Sequence, residues 1–250
     1  MKKVFAFVAA FALFASTQAF AIAGIGAHYV MNTGKLDASE GYVGPAGPTG
    51  QIKVVQESAS GLQGLGFKAW IDFLPFVDIE GTFNVAAMRY KTYLVFPGAE
   101  GTPVPLSYAP DAPYNMIFDR ADPLYGVFSG DVSIAYPFDI LPIIRPYIGA
   151  GISYLASIPI VNADFTRDML KDVSDYSQID LESLDGKVVD ALKKADYKTG
   201  MGGHIIAGLR IKPPIIPLAV YANGKYYFGG DLGKQFTQGL VLELGGGFAL

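Results

Sequence analysis

Leu65-Gly66-Phe67-Lys68-Ala69-Trp70-Ile71-Asp72-Phe73 is the stretch that decides how this chain reads. Its odd positions, Leu65, Phe67, Ala69, Ile71 and Phe73, are apolar, and between them stand Gly66, Lys68, Trp70 and Asp72. Successive side chains of a β-strand point to opposite faces, so one face of this segment is greasy and the other carries charge.

The same alternation recurs on both sides of it. Upstream, Ala23, Ile25, Ala27 and Tyr29 oppose Gly24, Gly26 and His28. Immediately downstream, Ile79, Phe83, Val85 and Ala87 oppose Asp78, Glu80, Thr82 and Asn84. Further on, Phe128, Val132, Ile134 and Tyr136 face away from Ser129, Asp131 and Ser133. Ile148, Ala150, Ile152 and Tyr154 then face away from Tyr147, Gly149, Gly151 and Ser153. Ile205, Ala207, Leu209 and Ile211 alternate with His204, Gly208, Arg210 and Lys212. Leu218, Val220, Ala222 and Tyr226 alternate with Tyr221, Asn223, Lys225 and Tyr227. The last segment sets Leu240, Leu242, Leu244 and Phe248 against Gly239, Glu243, Gly245 and Gly247.

A secreted β-sandwich would put its charges on the outer face. Here they lie opposite the larger apolar residues, which suits lipid outside and a polar interior. The expected fold is all-β, an eight-stranded antiparallel transmembrane β-barrel with long loops. Ten strands stay open as the alternative, because residues 51–55 and 91–95 could pair above the membrane or within it.

Composition agrees. The 250 residues carry a net charge of −4 and a mean hydropathy of +0.31, with 17 % charged residues. An average soluble domain has about 25 %. Cysteine is absent and only two histidines occur, which excludes disulfides, thiolate metal sites and histidine-rich ones. With no basic excess, a nucleic-acid partner has no electrostatic support. Lys2 and Lys3, the uncharged run Val4 to Ala15 and Ala19-Phe20-Ala21 have the form of a cleaved signal peptide. The expected organisation is a signal peptide over 1–21 and one barrel domain over 22–250.

The connections carry a second regularity. Leu74-Pro75-Phe76, a stretch with Pro137 and Pro142, and Pro213 to Pro217 are short, and proline marks strand ends. Residues 32–61, 91–123 and 158–199 are long, with a shorter connection at 229–235. Short turns on one side and long loops on the other are the asymmetry of a barrel in an outer membrane. Leu181, Leu184, Val188 and Leu192 recur at helical spacing within the third long loop. Tyr29, Tyr90, Tyr93, Tyr125, Tyr226, Tyr227 and Phe228 form an expected aromatic girdle at the loop end, with Phe73, Phe76 and Phe138 at the turn end.

The last eight residues are Glu243-Leu244-Gly245-Gly246-Gly247-Phe248-Ala249-Leu250. With the alternation before them, they resemble the C-terminal signature of the small outer-membrane β-barrel proteins of Gram-negative-type bacteria. Leu stands at the end where Phe is commonest. The resemblance implies a bacterial outer-membrane location, lipid as the surroundings and recognition of Gly245, Phe248 and Leu250 by the barrel-assembly machinery.

Parity sends Lys68, Asp72, Asp78, Glu80, Asp131, Arg145, Arg210, Lys212, Lys225 and Glu243 into the lumen. An eight-stranded barrel is just wide enough for its own side chains. Buried charge must be paired, so a lumen charge network is expected, centred on Lys68, Asp72, Glu80, Asp131, Arg210, Lys225 and Glu243. A charged path for a small solute is the functional alternative. His28 and His204 both face inward, and no G-x-S-x-G or G-x-x-x-x-G-K-[ST] motif occurs. No catalytic, metal or cofactor-binding residue is therefore expected. Two functions remain: a structural or surface-interaction anchor whose loops meet an extracellular ligand, and a narrow channel or ligand-binding barrel for small or apolar solutes.

Overall fold

The computed structural model describes residues 23–44, 50–72, 76–99, 101–107, 122–138, 143–171, 184–213 and 216–249. The expected signal peptide (1–21), Phe73, the turn residues Leu74 and Pro75, Leu181 and Leu250 lie outside the described residues.

In chain order the elements are β1 (Gly24–Leu36), β2 (Ser39–Val43), β3 (Ile52–Gln56), β4 (Ala59–Ile71), β5 (Asp78–Arg89), β6 (Thr92–Val95), β7 (Val104–Pro105), β8 (Leu124–Pro137) and β9 (Ile144–Ser157). The helices α1 (Ala163–Met169) and α2 (Leu184–Lys194) follow, then β10 (Lys198–Ile211), β11 (Leu218–Gly229), β12 (Phe236–Thr237) and β13 (Leu240–Ala249).

Eight strands close into a barrel in the order β1-β4-β5-β8-β9-β10-β11-β13, and β13 pairs back onto β1. Every pairing is antiparallel. Each expected segment falls on one of these strands, with Ala23, Asp72, Lys212 and Gly239 one residue beyond the strand ends. A line of cross-strand partners from Gly24 runs through Trp70, Glu80, Ser133, Gly151 and His204 to Tyr227. It begins at the turn end of β1 and finishes near the loop end of β11, the stagger that tilted barrel strands require.

The alternation gives the wall its two faces. Leu65 and Phe67 are 68 % and 67 % exposed, whereas Lys68 between Phe67 and Ala69 is 2 % exposed. Ile25, Phe83, Ile134, Ile152, Ile205, Val220, Leu244 and Phe248 continue the apolar exterior round the other strands. No helix among the described residues is long and apolar enough to cross a membrane. A closed antiparallel barrel satisfies all its ladder hydrogen bonds internally, which is what lets an apolar exterior sit in lipid. This is a transmembrane β-barrel.

The strands outrun the membrane. A spanning strand needs about 9–11 residues, and β1, β4, β8, β9 and β10 have 13 or 14. Residues 32–36 and 59–61, expected in a loop, belong to β1 and β4. Residues 51–55 and 91–95 do meet, through Lys53 opposite Val95 and Val54 opposite Leu94. They do so in a separate sheet, β2-β3-β6-β7, so the wall has eight strands rather than ten. Burial is the physical reason. Ile52, Val54 and Leu94 are buried against the barrel mouth and Val43, Leu106 and Phe165 join them in one core, an arrangement closed to a lipid-facing strand.

The edges of this second sheet are blunted. Arg167 Nη2 donates to the carbonyl oxygen of Tyr42 on β2 at 3.3 Å. On the opposite edge Pro103 and Pro105, at β7, have no N–H to offer.

One expectation about aromatics is corrected. Tyr90, Tyr125 and Tyr227 point inward and are buried: Tyr125 and Tyr227 stand on the inward parity of their strands, and Tyr90 continues that of β5 one residue past its end. Tyr29, Tyr226 and Phe228 are exposed at the loop end, joined there by Tyr154, while Phe76, Phe138 and Tyr136 are exposed at the turn end.

Candidate functional site

The lumen is filled by two layers of opposite chemistry. In the turn-end half, long charged side chains from facing strands meet across the bore. Arg145 Nη1 reaches Asp72 Oδ2 at 3.4 Å. Arg210 Nη1 lies 3.8 Å from the same carboxylate and 3.1 Å from Asp78 Oδ2, and its other terminal nitrogen donates to Glu80. Glu80 also accepts from Lys68 Nζ at 3.0 Å. Lys68 in turn donates to Asn223 Oδ1 at 2.9 Å and stands 3.9 Å from Glu243. Lys225 Nζ lies 2.9 Å from both Glu243 and Asp131.

Lys68, Asp72, Glu80, Asp131, Arg210, Lys225 and Glu243 thus form one connected array, each no more than 3 % exposed. Arg145 sits at its turn-end margin, with a side chain 17 % exposed. Ionised groups hold such a position only when their remaining lone pairs and protons are also bonded. Asn84 and Asn223 supply this for Glu243 with N–H donors at 2.8 and 2.7 Å, and the Tyr227 hydroxyl donates to Asp131 at 2.9 Å. The Arg210 guanidinium lies 5.0 Å from the Trp70 ring and Lys68 Nζ 4.7 Å from that of Tyr221, so aromatic faces cover part of the cations.

Asn84, Asn223, Tyr221 and Tyr227 belong to the network although sequence reasoning had not assigned them to it. Their signal was the same inward parity. The pairings themselves depend on the stagger between strands, which no single strand records.

The histidines face the same lumen. His28 is bonded to Asn84 Oδ1 at 2.6 Å and to the Tyr221 hydroxyl at 3.1 Å. His204 bridges Ser133 and Ser153 at 2.8 and 2.7 Å. Glycine makes room for each ring: a Cβ on Gly66 would collide with His28 and one on Gly151 with His204. Both nitrogens of each imidazole are engaged away from solvent.

Toward the loop end the inward positions turn apolar. After His28 comes Val30, after Lys68 comes Leu62, after Asn84 come Ala86 and Met88, after Ser129 come Val127 and Tyr125, and before Glu243 comes Val241. These pack with Leu36, Leu155 and Phe236 and with the second sheet above. Val161, Phe165 and Leu170, from α1 and its flanks, complete the core. Three polar pins hold that segment down. The N–H of Val161 donates to the Tyr90 hydroxyl at 2.6 Å, Thr92 Oγ1 donates to the Val161 carbonyl at 2.9 Å, and Asn162 Nδ2 donates to Gln235 at 2.8 Å. Asn162 also caps α1 by accepting from the N–H of Phe165 at 3.0 Å. The helix α2 contains Leu184, Val188 and Leu192 of the expected pattern, and Val188 is buried.

A cleft of about 1360 Å³ lies outside this cap, between α1, α2 and the 231–235 turn. Ile160, Phe165, Met169 and Leu232 line it, with lysines and aspartates interspersed. Of the C-terminal signature, Gly245 stands opposite both His28 and Tyr221, where a Cβ would strike the backbone of Ala27. Phe248 faces outward, 59 % exposed.

No protein-family model matches the chain, and no curated protein sequence does. Among solved structures the chain is similar to Ail, the attachment invasion locus protein of Yersinia pestis, at 11 % identity and a TM-score of 0.43, over 90 % of this chain and 96 % of that one. It is similar to Neisserial surface protein A at 14 % identity and a TM-score of 0.38, over 90 % and 97 %. OprG, an outer membrane protein of Pseudomonas aeruginosa, gives 12 % identity and a TM-score of 0.36, over 90 % and 94 %. The fold rests on the ladder itself: eight strands, all antiparallel, closed between β1 and β13.

Proposed function

We propose that this protein is an integral bacterial outer-membrane barrel whose work is done by its outward-facing cap, with the barrel as anchor. In this reading residues 1–21 direct export and are removed, and the assembly machinery reads Gly245, Phe248 and Leu250. The short-turn end faces the periplasm. The observation that carries the anchor role is the two-layered lumen, an ion-paired array below and an apolar core above. Ions or polar solutes crossing it would have to break both. The engaged, sealed histidines support a non-enzymatic role.

Single-channel recording of the refolded protein in a planar bilayer tests this, with and without residues 158–199. Silence of the intact protein is the expected result. Steady openings of the intact protein would overturn the anchor role.

A second reading is favoured by one observation, the apolar lining of the upper lumen by Val30, Leu62, Val127, Leu155 and Val241. If α1 is displaced, that lining becomes a well for an apolar solute. Titration with an alkyl-chain fluorophore distinguishes the two readings: saturable binding that strengthens when 163–171 are replaced by a flexible linker supports the well.

A further inference from the structure

The lumen brings opposite charges into contact, and the cleft outside the cap keeps them apart. Five lysines and five aspartates line that cleft, over a floor that includes Ile160, Phe165, Met169 and Leu232. Among the described residues Lys187, Lys194, Lys198, Lys234 and Asp168 make no ion pair, although both signs border the same space. Two of the walls are helices built alike. On α1, Phe165 and Met169 lie one turn apart, with Asp164 and Asp168 running beside them. On α2, Ala191 and Ala195 just past its end lie one turn apart, with Lys187 and Lys194 two turns apart beside them and Asp190 between. The α1 wall is therefore acidic and the α2 wall has a basic excess.

These features select the occupant. At about 1360 Å³ the cleft is larger than the roughly 300–1,000 Å³ of a small-molecule pocket. Equal numbers of both signs leave no net charge to hold a polyanion or an anionic lipid surface. Helical walls keep their backbone groups bonded within themselves, so an extended peptide has no edge to join there. What packs between two helices is a third, ridges into grooves. We infer that the cleft is a docking site for an amphipathic helix of a partner protein, with a basic edge along α1 and an acidic edge along α2. Ala191 and Ala195 let the incoming backbone approach closely, while Asp168 against Lys187 and Lys194 decides which edge lies on which side. The eleven residues of α2 are about 16 Å long, so about three turns of partner helix can run beside them. The inference rests on the cap being the working part of the protein and names the kind of partner it holds.

A display library supplies the test. Short helical peptides with leucine fixed at i, i+3, i+4 and i+7, and each flanking position free to be Glu or Lys, are selected on the full-length protein in lipid nanodiscs. Ala191→Trp, which fills the groove from a partly exposed position, serves as the competitor. The expected winners carry one acidic and one basic edge. Lys187→Glu with Lys194→Glu weakens them about tenfold, and changing their acidic edge to lysine restores binding to that variant. No enrichment over Ala191→Trp would overturn the site, as would winners with the same sign on both edges or winners that bind the charge-reversed protein equally well. Conductance in the bilayer experiment together with the expected binding would remove the anchor role and leave the docking site standing. A silent barrel that selects no such peptide would do the reverse.

Discussion

The lower and upper halves of the same tube are filled with opposite chemistry. At the level of the lipid, the wall is apolar outside and charged inside: Phe67 against Lys68, Leu244 against Glu243. Above it the sign reverses within a few residues of the same strand. On β1 the outward residues change from Tyr29 and Met31 to Thr33 and Lys35, while the inward ones change from His28 to Val30 and Leu36. On β5 the exposed Phe83 and Val85 give way to Arg89, as the inward Asn84 gives way to Ala86 and Met88. A strand apolar on both faces would not know which side to present, since slipping by one residue exchanges them. In lipid, discrimination requires the inside to be polar; in water it requires the inside to be apolar. The chain changes its rule where its surroundings change.

The sharpest attempt to break this contrast puts the lower chemistry into the upper half. Leu62→Glu sets a carboxylate into the dry core, where its cross-strand partner is the uncharged Asn32. A loss of about 5 kcal/mol, enough to abolish folding into vesicles, is expected from a buried unpaired charge. Recovery of folding at full yield would show that the upper core admits water. Next comes Glu80→Ala, which strips Lys68 and Arg210 of a shared partner. Removing one member of a buried ionic array costs about 4 kcal/mol, read as a lowered urea midpoint in vesicles. Leu62→Ala makes the matching deletion in the upper half and is expected to cost about 3 kcal/mol by the same assay, with no change in the salt dependence of unfolding. The smallest effect is at the rim, where Asn162→Ala removes the cap of α1 and costs about 1 kcal/mol. It is best followed by hydrogen exchange of residues 163–169.

The lower half was legible in the sequence because its signal is a strict period of two. Lys68, Glu80 and Arg210 could be sent to the lumen by counting alone. Their partners could not, because which carboxylate meets which cation depends on the stagger of eight strands. The upper half was hidden for a different reason. Where the outward residues become Thr33, Lys35 and Gln63, the pattern is that of an ordinary soluble strand, and it read as loop. Tyr90, Tyr125 and Tyr227 were misplaced by the same error, since a tyrosine near a strand end was equated with a girdle. The short α1 escaped because seven residues are too few for a period. Its Asn162 cap, with Asp164 and Arg167 three positions apart, was the available clue.

The blunted margins of the small outer sheet bear on crowding. Barrels in a membrane diffuse in two dimensions with their caps at a common height, so neighbouring sheets meet edge to edge far more often than they would in solution. An open edge would then join copy to copy into a ladder. With Arg167 on the Tyr42 carbonyl and Pro103 and Pro105 on the other margin, both edges offer such a ladder fewer free backbone groups.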